Sequence, residues 1–414
     1  MKILFITDNF PPEVNAPAFR TFENCRYWVK LGAEVEVVTS CPNFPQGKLY
    51  QGYRNKIIQK EMMGEIAVTR LWTFIKPNKG FMIPTILDFL SFTFSSFFYL
   101  VFKKKDYDVI IATSPQFFTG LTAMAISKIR NVPWIFEVRD LWPEGIILIK
   151  HKSFLYRILE KLEANFYSSS SGIVTVTESF KQNIQQRFKY PDSKIEIVYN
   201  GSNNSMFKPL PKNEKLILDL GLESKFIIGY AGTLGLSHSL DFILDSLPEI
   251  YKIDKSIHFV FMGNGAFEEE LRETILDKKL LNATLLPSVP KEEVKNYLSI
   301  FDVGLVSLKQ NLAFLKVIPS KIFDLSAMRI PILLGVDGEA RRIIEKYEAG
   351  IYYQPENKTD FVSKVSTLYN NRHDIGRFSA GLDSLSADFD RDLLAQKMFD
   401  FIEKVVWKKS PPTD

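Results

Sequence analysis

The stretch FIIGYAGTLGLSHSLDFIL (residues 226–244) decides the fold of the second half of the chain. It begins with a continuous apolar run of strand length, passes two glycines, Gly232 and Gly235, and continues into a helical pattern. A strand without polar alternation is typical of a parallel sheet that helices cover on both faces. Because strand and helix patterns alternate along the whole chain, the sequence predicts a doubly wound α/β fold.

The apolar runs form two series, and the polar stretch NGSNNSMFKPLPKNEK (residues 200–215) separates them. We therefore predict two Rossmann-like domains, over residues 1–200 and 201–390, that face a central cleft. Ligands in such sheets bind at the carboxyl ends of the strands, so site residues should follow strands directly. The last helical pattern, within residues 391–414, is predicted to cross back to the first domain.

Composition sets broad limits on function. The chain has 414 residues, of which 46% are hydrophobic and 24% charged, as in a globular protein with a large core. The formal net charge is +4, divided as +7 in residues 1–200 and −3 in the remainder. This division suits an anionic surface or a phosphate-bearing partner, although chance unevenness would look the same.

The cysteines, the histidines and the first residues argue against a disulfide-bonded protein, a histidine metal site and a secreted protein. Two cysteines form no disulfide framework, which is typical of a reducing cytosol, and the four histidines lack metal-ligand spacing. The first residues, MKILFITD, form a strand pattern and not a signal peptide. We therefore expect a cytosolic protein that needs neither a metal nor a cofactor.

The densest motif of the second half is LKVIPSKIFDLSAMRIPILLGVDGEARRIIE (residues 315–345). Lys321 and Asp324 lie three residues apart and share a helix face. A lysine near a helix start can bind a phosphate, and a carboxylate one turn later can accept two sugar hydroxyls, which suits a nucleoside diphosphate. A solvated pair on a surface helix is the simpler alternative. Gly263 and Gly265 of FMGNG suggest a second turn close to a ligand.

The strongest catalytic signal of the first half is FEVRDLWPEG (residues 136–145). Glu137, Arg139 and Asp140 leave an apolar strand at the predicted cleft, although an Arg–carboxylate pair that only holds the loop is also possible. We expect acceptor contacts from other polar residues that follow strands in this half: Glu13, Asn15, Arg20, Ser114 and Gln116.

A long aromatic run, FMIPTILDFLSFTFSSFFYLVFKKK (residues 81–105), lies between two predicted strands of one sheet. A membrane span would put those strands on opposite sides of a bilayer, so we do not expect one, although the run is long enough. Two readings remain: a helix on the membrane surface, and a core helix whose polar stripe (Asp88, Ser91, Ser95 and Ser96) faces water. The predicted membrane contacts are Phe89, Phe94, Phe97, Lys103, Lys104 and Lys105.

Residues 1–405 resemble a family 4 glycosyltransferase with the two-domain GT-B fold. The markers are VYNGSNNSMF (198–207), GYAGTLG (229–235), FMGNG (261–265), LPSVPKEEV (286–294) and PSKIFDLSAMRIPILLG (319–335). The resemblance is closest to a bacterial subgroup of fucosaminyl-type (WbuB-like) transferases of O-antigen and capsule synthesis. That subgroup is marked by PPEVNAPAFR, CPNFPQGK, ATSPQFF, FEVRDLWPE and VIPSKIF.

The resemblance implies a donor site in the second domain. The ribose-binding acid of the family falls on Asp324, whereas its companion acid is replaced by Lys316. The Arg and Lys that often hold the diphosphate fall on Thr233 and His238, so Lys321 is the strongest remaining cation. The full predicted donor set is Gly232, Thr233, Leu234, His238, Ser288, Val289, Val317, Ile318, Ser320, Lys321 and Asp324.

The resemblance also implies an activity. We expect a retaining glycosyltransferase that moves a sugar, plausibly an N-acetylated deoxy-aminosugar, from a UDP-sugar to a polyprenyl-diphosphate-linked saccharide at the inner face of the cytoplasmic membrane. Asp140 would orient the acceptor, and Arg139 or Lys321 would neutralise the departing diphosphate. No nucleic-acid partner is expected. Two alternatives stay open: a UDP-sugar epimerase of GT-B fold, and a non-catalytic nucleotide-sugar-binding subunit.

Overall fold

A computed structural model describes residues 1–44, 47–75, 82–144 and 153–407. The chain forms two compact units. The first contains Met1–Tyr199 together with the described part of Asp392–Asp414, and the second contains Asn200–Arg391.

The first unit is built on an eight-stranded sheet of order β3-β4-β2-β1-β5-β6-β7-β8. All neighbours run parallel except β3 and β4, which form an antiparallel hairpin at one edge. The strands are β1 (Lys2–Ile6), β2 (Glu34–Ser40), β3 (Ile58–Met63), β4 (Ile66–Leu71), β5 (Val109–Thr113), β6 (Trp134–Val138), β7 (Gly172–Thr175) and β8 (Ile195–Ile197). The helices are α1 (Ala16–Lys30), α2 (Met82–Phe102), α3 (Thr119–Arg130), α4 (Phe154–Ser169) and α5 (Glu178–Phe188).

The second unit has a six-stranded parallel sheet of order β11-β10-β9-β12-β13-β14. Its strands are β9 (Phe226–Ala231), β10 (Ile257–Met262), β11 (Ala283–Leu286), β12 (Val303–Ser307), β13 (Ile332–Gly335) and β14 (Gly350–Tyr352). Its helices are α6 (Glu214–Asp219), α7 (Leu240–Ile253), α8 (Glu268–Asp277), α9 (Lys291–Leu298), α10 (Lys321–Ala327), α11 (Glu339–Tyr347), α12 (Lys358–Asn370) and α13 (Ser379–Asp388).

The last helix, α14 (Arg391–Trp407), packs on the first unit beside α1. The indole N–H of Trp28 on α1 donates to the carbonyl of Ala395, and the ring of Phe401 lies so close to Gly172 that a Cβ there would clash. The chain therefore returns to its first sheet after the second is complete, as the sequence predicted. Residues 408–414 of the predicted segment lie outside the described residues.

The prediction of two doubly wound α/β domains is confirmed. The central strands of both sheets, such as β1, β5, β9 and β12, are the continuous apolar runs of the sequence, and nearly all of their residues are buried. The sequence analysis missed β3, IQKEMM, whose residues alternate between exposed and half-buried. This strand lies at the sheet edge, so its composition shows neither the apolar run nor the flanking helix of a central strand.

In the core-helix alternative, the polar stripe of α2 faces water; in the structure, that stripe faces the protein. Its polar side chains face the protein: Asp88 bonds Thr73, Ser91 accepts from the backbone N–H of Phe74, and Ser96 bonds Thr122. Its outward side is apolar, with exposed Leu87, Phe94, Phe98 and Phe102. Among the described residues, no helix combines the length and the apolar character that crossing a membrane requires.

Candidate active site

Asp140 follows β6 in the first unit, and the hydroxyl of a buried serine fixes its backbone. Ser114 Oγ accepts from the amide N–H of Arg139 at 2.7 Å and from that of Asp140 at 3.1 Å. Surrounding protein atoms raise the pKa of the Asp140 carboxyl to about 6, and the Arg139 guanidinium opposes this shift. The residue as a whole is exposed, whereas its carboxyl group lies among protein atoms that keep water away from it. This combination suits a group that orients or deprotonates an acceptor.

Glu137 and Arg20 form a buried ion pair instead of contacting a ligand. Arg20 Nε lies 2.8 Å from Glu137 Oε1, and the side chains are 4% and 1% exposed. The other Arg20 nitrogens donate to the carbonyls of Val198 and Tyr199. The guanidinium holds the pKa of Glu137 low against the effect of burial. The predictions of a catalytic Glu137 and an acceptor contact by Arg20 are therefore corrected: the pair joins α1, β6 and the residues after β8.

Ser114 and Gln116 also have internal partners. Gln116 donates from Nε2 to the carbonyl of Phe89 at 2.8 Å and accepts from the amide of Thr119 at 2.7 Å. Each of the two side chains is about 1% exposed. Direct sugar contacts by Ser114 and Gln116 are thus contradicted. They position the Asp140 loop and helix α2 instead.

The loop after β1 contains a group of carboxylates that sequence reasoning identified only in part. Glu13 is 2% exposed, and its Oε1 accepts from the amides of Asn43 and Phe44. Burial raises the pKa of Glu13 to about 7 and that of Asp88 to about 6. It also raises the pKa of Asp8, with Asp88 and Glu13 adding to the effect. Asn15 caps α1 by accepting from Ala18. Glu13 and Asn15 therefore shape the loop after β1, and their predicted contact with an acceptor stays a prediction.

The donor side, in the second unit, is centred on Lys321. Its Nζ lies 3.5 Å from the centroid of the Tyr230 ring. This ammonium is buried and has no hydrogen-bond partner among the described residues. Burial lowers the pKa of Lys321 well below its usual value. A side chain at Gly232 would come within 3.5 Å of Nζ, so the glycine leaves the space beside the ammonium open.

Two glycine-containing loops pack backbone to backbone beside this lysine. Gly232 N–H donates to Met262 O, and Leu234 N–H donates to Asn264 O. A Cβ at Gly263 would lie 1.8 Å from the carbonyl oxygen of Gly232, and one at Gly265 would lie 2.3 Å from that of Leu234. The FMGNG glycines thus admit the neighbouring loop, whereas the sequence suggested that they admit a ligand. Thr233 stays exposed and Leu234 is buried.

Asp324 and the segment before α10 complete the predicted donor set. Asp324 accepts from Ser202 Oγ at 2.9 Å, so one of its oxygens has a partner within the unit. The amide N–H of Val317 donates to the carbonyl oxygen of Phe314. It is therefore already engaged within the protein, whereas the sequence analysis places Val317 among the residues that contact the donor sugar nucleotide.

The remaining predicted donor contacts differ in their surroundings. Ser288 is exposed and accepts from Asn264 Nδ2, with Val289 half-buried beside it. Burial and the nearby Lys321 charge lower the pKa of His238 to about 4, so it is neutral at pH 7. Its imidazole therefore contributes no positive charge to the binding of an anion such as a diphosphate. Ile318 is buried, and Ser320 lies directly before Lys321.

The predicted membrane residues divide into two groups. Phe94 is 61% exposed and Phe97 is half-buried, whereas Phe89 lies on the inner side of α2 against Trp142. Lys103 and Lys105 form ion pairs with Glu36, so only Lys104 of the three lysines is exposed. The expectation of three free surface lysines was wrong, because β2 supplies a buried carboxylate next to them.

No group of side chains suited to holding a metal ion occurs among the described residues. Sequence reasoning missed Tyr230, whose ring lies against Lys321. Only the position of Tyr230, one residue before the turn after β9, could have indicated its place beside the site.

Comparisons with known proteins agree with this architecture. A model of Glycosyltransferase Family 4 matches residues 19–205, and a model of Glycosyl transferases group 1 matches residues 225–371. The probable glycosyltransferase WbjE of Pseudomonas aeruginosa is 24% identical over 258 residues, which cover 61% of this chain and 63% of that protein. The putative colanic acid biosynthesis glycosyl transferase WcaI of Escherichia coli (strain K12) is 22% identical over 338 residues, 79% of this chain and 81% of its own.

Solved structures show the same fold over nearly the whole chain. Sucrose-phosphate synthase from Thermosynechococcus elongatus superposes with a TM-score of 0.74 at 12% identity and covers 98% of both chains. HepE from Anabaena, solved in complex with UDP-glucose, gives a TM-score of 0.71 at 14% identity, over 98% of this chain and all of its own. With this GT-B fold and a family match in each half, the chain is a glycosyltransferase that carries a Glycosyltransferase Family 4 domain followed by a Glycosyl transferases group 1 domain.

Proposed function

We propose that this glycosyltransferase moves a sugar from a UDP-sugar to a polyprenyl-diphosphate-linked saccharide during synthesis of a bacterial surface polysaccharide. An N-acetylated deoxy-aminosugar and a retaining outcome remain part of the proposal, as does a place in the fucosaminyl-type subgroup. The named roles of WcaI and of the putative teichuronic acid biosynthesis glycosyltransferase TuaH support polysaccharide synthesis.

The observation that carries the donor half is the unpartnered ammonium of Lys321. A buried cation with only an aromatic ring beneath it lacks a counter-charge, and a diphosphate would supply one. HepE was solved with UDP-glucose, which supports a UDP-sugar as the ligand class. Asp324, three residues later on the same short helix, is our candidate for the ribose hydroxyls, because a carboxylate can accept hydrogen bonds from both hydroxyls of the sugar.

The acceptor half rests on Asp140 and on helix α2. Asp140 lies just after the end of β6, and burial of its carboxyl group raises its pKa to about 6 although the residue as a whole is exposed. The exposed Leu87, Phe94, Phe98 and Phe102 form an apolar stripe without a partner in the described structure, and they favour contact with a membrane where a lipid-linked acceptor resides. Peripheral association with the cytoplasmic membrane is therefore part of the proposal.

Saturation-transfer NMR with a panel of UDP- and GDP-sugars tests the donor class. We expect signals from UDP-sugars that free UDP abolishes, and no conversion of the donor when the acceptor is absent. Conversion of the sugar without an acceptor would favour the epimerase, and binding with no transfer to any acceptor would favour the non-catalytic subunit. Binding of GDP-sugars alone would overturn the choice of nucleotide.

A further inference from the structure

Four aromatic rings meet beside Asp140 and belong to three different segments of the first unit. Phe117 stacks on Trp142 with ring centroids 5.3 Å apart and planes 6° apart. Phe89 lies 6.2 Å from the same indole at 54°, and Phe118 lies 6.3 Å from it at 67°. Helix α2 contributes Phe89, the loop after β5 contributes Phe117 and Phe118, and the loop after β6 contributes Trp142. We call these four rings the Trp142 cluster.

The Trp142 cluster is only partly a core. Phe117 is buried and continues into the interior through Phe166, at 4.9 Å. Trp142, Phe89 and Phe118 each keep an intermediate share of their surface. Apolar rings at a core position would normally be closed off, so the surface that these three rings leave uncovered offers apolar area to a ligand.

Hydrogen bonds fix the cluster between the outer helix and the catalytic loop. Gln116 ties the carbonyl of Phe89 to the loop after β5, and Ser114 in that loop holds the amide of Asp140. Asp140 itself lies two residues before Trp142. The outer side of α2 is apolar, its inner side meets the Trp142 cluster through Phe89, and Arg139 and Asp140 lie just before Trp142 in the loop after β6.

We propose that the Trp142 cluster binds the hydrocarbon chain of the lipid-linked acceptor, at the end next to its diphosphate. This inference rests on the proposed function. An acceptor of that class is an amphiphile, with an apolar chain joined to an anionic, sugar-bearing head. The order of surfaces from α2 to Asp140 complements such a molecule: the chain lies against the aromatic rings, the Arg139 guanidinium lies on the anionic side, and the sugar hydroxyl reaches the Asp140 carboxylate.

A pair of acceptors that differ only in chain length tests this. Both carry the same saccharide and diphosphate; one has a short, water-soluble prenyl chain and the other a long polyprenyl chain, and both are assayed in detergent micelles so that binding to a bilayer is not required. We expect Trp142→Ala to raise KM for the long-chain acceptor about tenfold, with little change for the short-chain acceptor and none in donor KM. Trp142→Phe should restore most of the loss, and Phe118→Ala should act in the same direction.

Trp407→Ala serves as the matched control, because Trp407 is 62% exposed on α14. An equal loss with both acceptors would overturn the proposal and assign Trp142 to positioning Asp140 or to the sugar. A wild-type enzyme that does not distinguish the two chain lengths would also overturn it. If the wild type transfers no sugar to either acceptor, the proposed function has failed instead. Thermal unfolding of each variant identifies a loss that is due to misfolding.

Discussion

At the scale of single residues, two ionisable side chains have pKa values that are shifted toward their neutral forms. Lys321 is buried on the face of Tyr230, and Asp140 is exposed with a raised pKa. The sequence identified both from their place after a strand or at a helix start. It did not identify Tyr230. A strand pattern shows that Tyr230 is buried, but it does not show that the Lys321 side chain packs on the Tyr230 ring. Arg20 and Glu137 looked equally functional, and only the structure shows that they pair with each other.

Lys321→Ala should weaken UDP-sugar binding about tenfold or more, because a charge-assisted contact to phosphate is worth roughly 1.5–3 kcal/mol. Binding should also take up a proton. Burial lowers the pKa of Lys321 in the free protein and a diphosphate would raise it, so affinity should fall as pH rises between those two values. Calorimetry with UDP-glucose in buffers of different ionisation enthalpy measures both effects.

The control is Lys278→Ala, which removes an exposed lysine that pairs with Asp245 on the surface of the same unit. It should leave both affinity and proton uptake unchanged. A folded Lys321→Ala variant that binds UDP-glucose like the wild type would refute the placement of the diphosphate.

Asp140→Asn should lower kcat by about a hundredfold or more while donor affinity is retained, since a positioned acid or base typically contributes 10²- to 10⁴-fold. With a pKa of about 6, the wild-type rate should fall as pH drops through about 6 and the carboxylate is protonated. Because folding raises the pKa of Asp140, its ionised form lowers the free energy of unfolding, and this cost is fully present above about pH 6. The neutral amide of Asp140→Asn avoids the cost, so the variant should be at least as stable as the wild type. Loss of activity with loss of stability would instead indicate a structural role.

At the scale of elements, helix α2 and the two glycine loops show where sequence patterns stop being informative. The sequence correctly separated the polar stripe of α2 from its apolar side. It could not decide which side faces the sheet, because the partners of the stripe, Thr73 and Thr122, lie in distant segments. The glycines of FMGNG were ambiguous in the same way. Glycine is needed where another backbone segment approaches closely and also where a ligand does, so the sequence could not tell the two apart.

The double variant Phe94→Ser, Phe98→Ser should weaken binding to anionic vesicles about tenfold or more, because burying a phenylalanine side chain is worth roughly 1.5–3 kcal/mol. Both residues are more than half exposed, so the fold should persist. Sedimentation with liposomes is the measurement, and Leu276→Ser, Leu281→Ser is the control pair of exposed apolar residues on the second unit. Equal sedimentation of the Phe variant and the wild type would exclude α2 from membrane binding. Changing Lys103 and Lys105 is a poorer test, because it leaves Glu36 buried without its cations.

Gly263→Ala should destabilise the second unit by more than about 2 kcal/mol and abolish UDP-sugar binding with it, because the new Cβ would overlap the carbonyl of Gly232 and Gly263 has a φ of +152°. Chemical denaturation followed by intrinsic fluorescence measures the change. Gly376→Ala is the matched control, since a Cβ at that position meets no atom within 4 Å. Wild-type stability in the Gly263 variant would show that the two loops separate more easily than their contacts indicate.

At the scale of the whole molecule, the sequence predicted the fold better than the sites. Two series of buried parallel strands and a returning helix follow from apolar runs, which depend on burial alone. Site residues depend on which distant side chains meet, and Arg20, Ser114 and Gln116 turned out to have partners within the first unit. The proposed function assigns a donor site around Lys321 to the second unit and an acceptor site around Asp140 to the first.

Transfer of labelled sugar to lipid tests the central claim most directly. The wild-type enzyme, vesicles that contain a polyprenyl-diphosphate-linked saccharide, and a panel of radiolabelled UDP-sugars are incubated, and label in the organic phase is counted. We predict that one UDP-sugar labels the lipid with the wild type, and that Lys321→Ala and Asp140→Asn each lower the rate sharply. No transfer from any UDP-sugar under conditions where the donor binds, or undiminished transfer by both variants, would contradict the account.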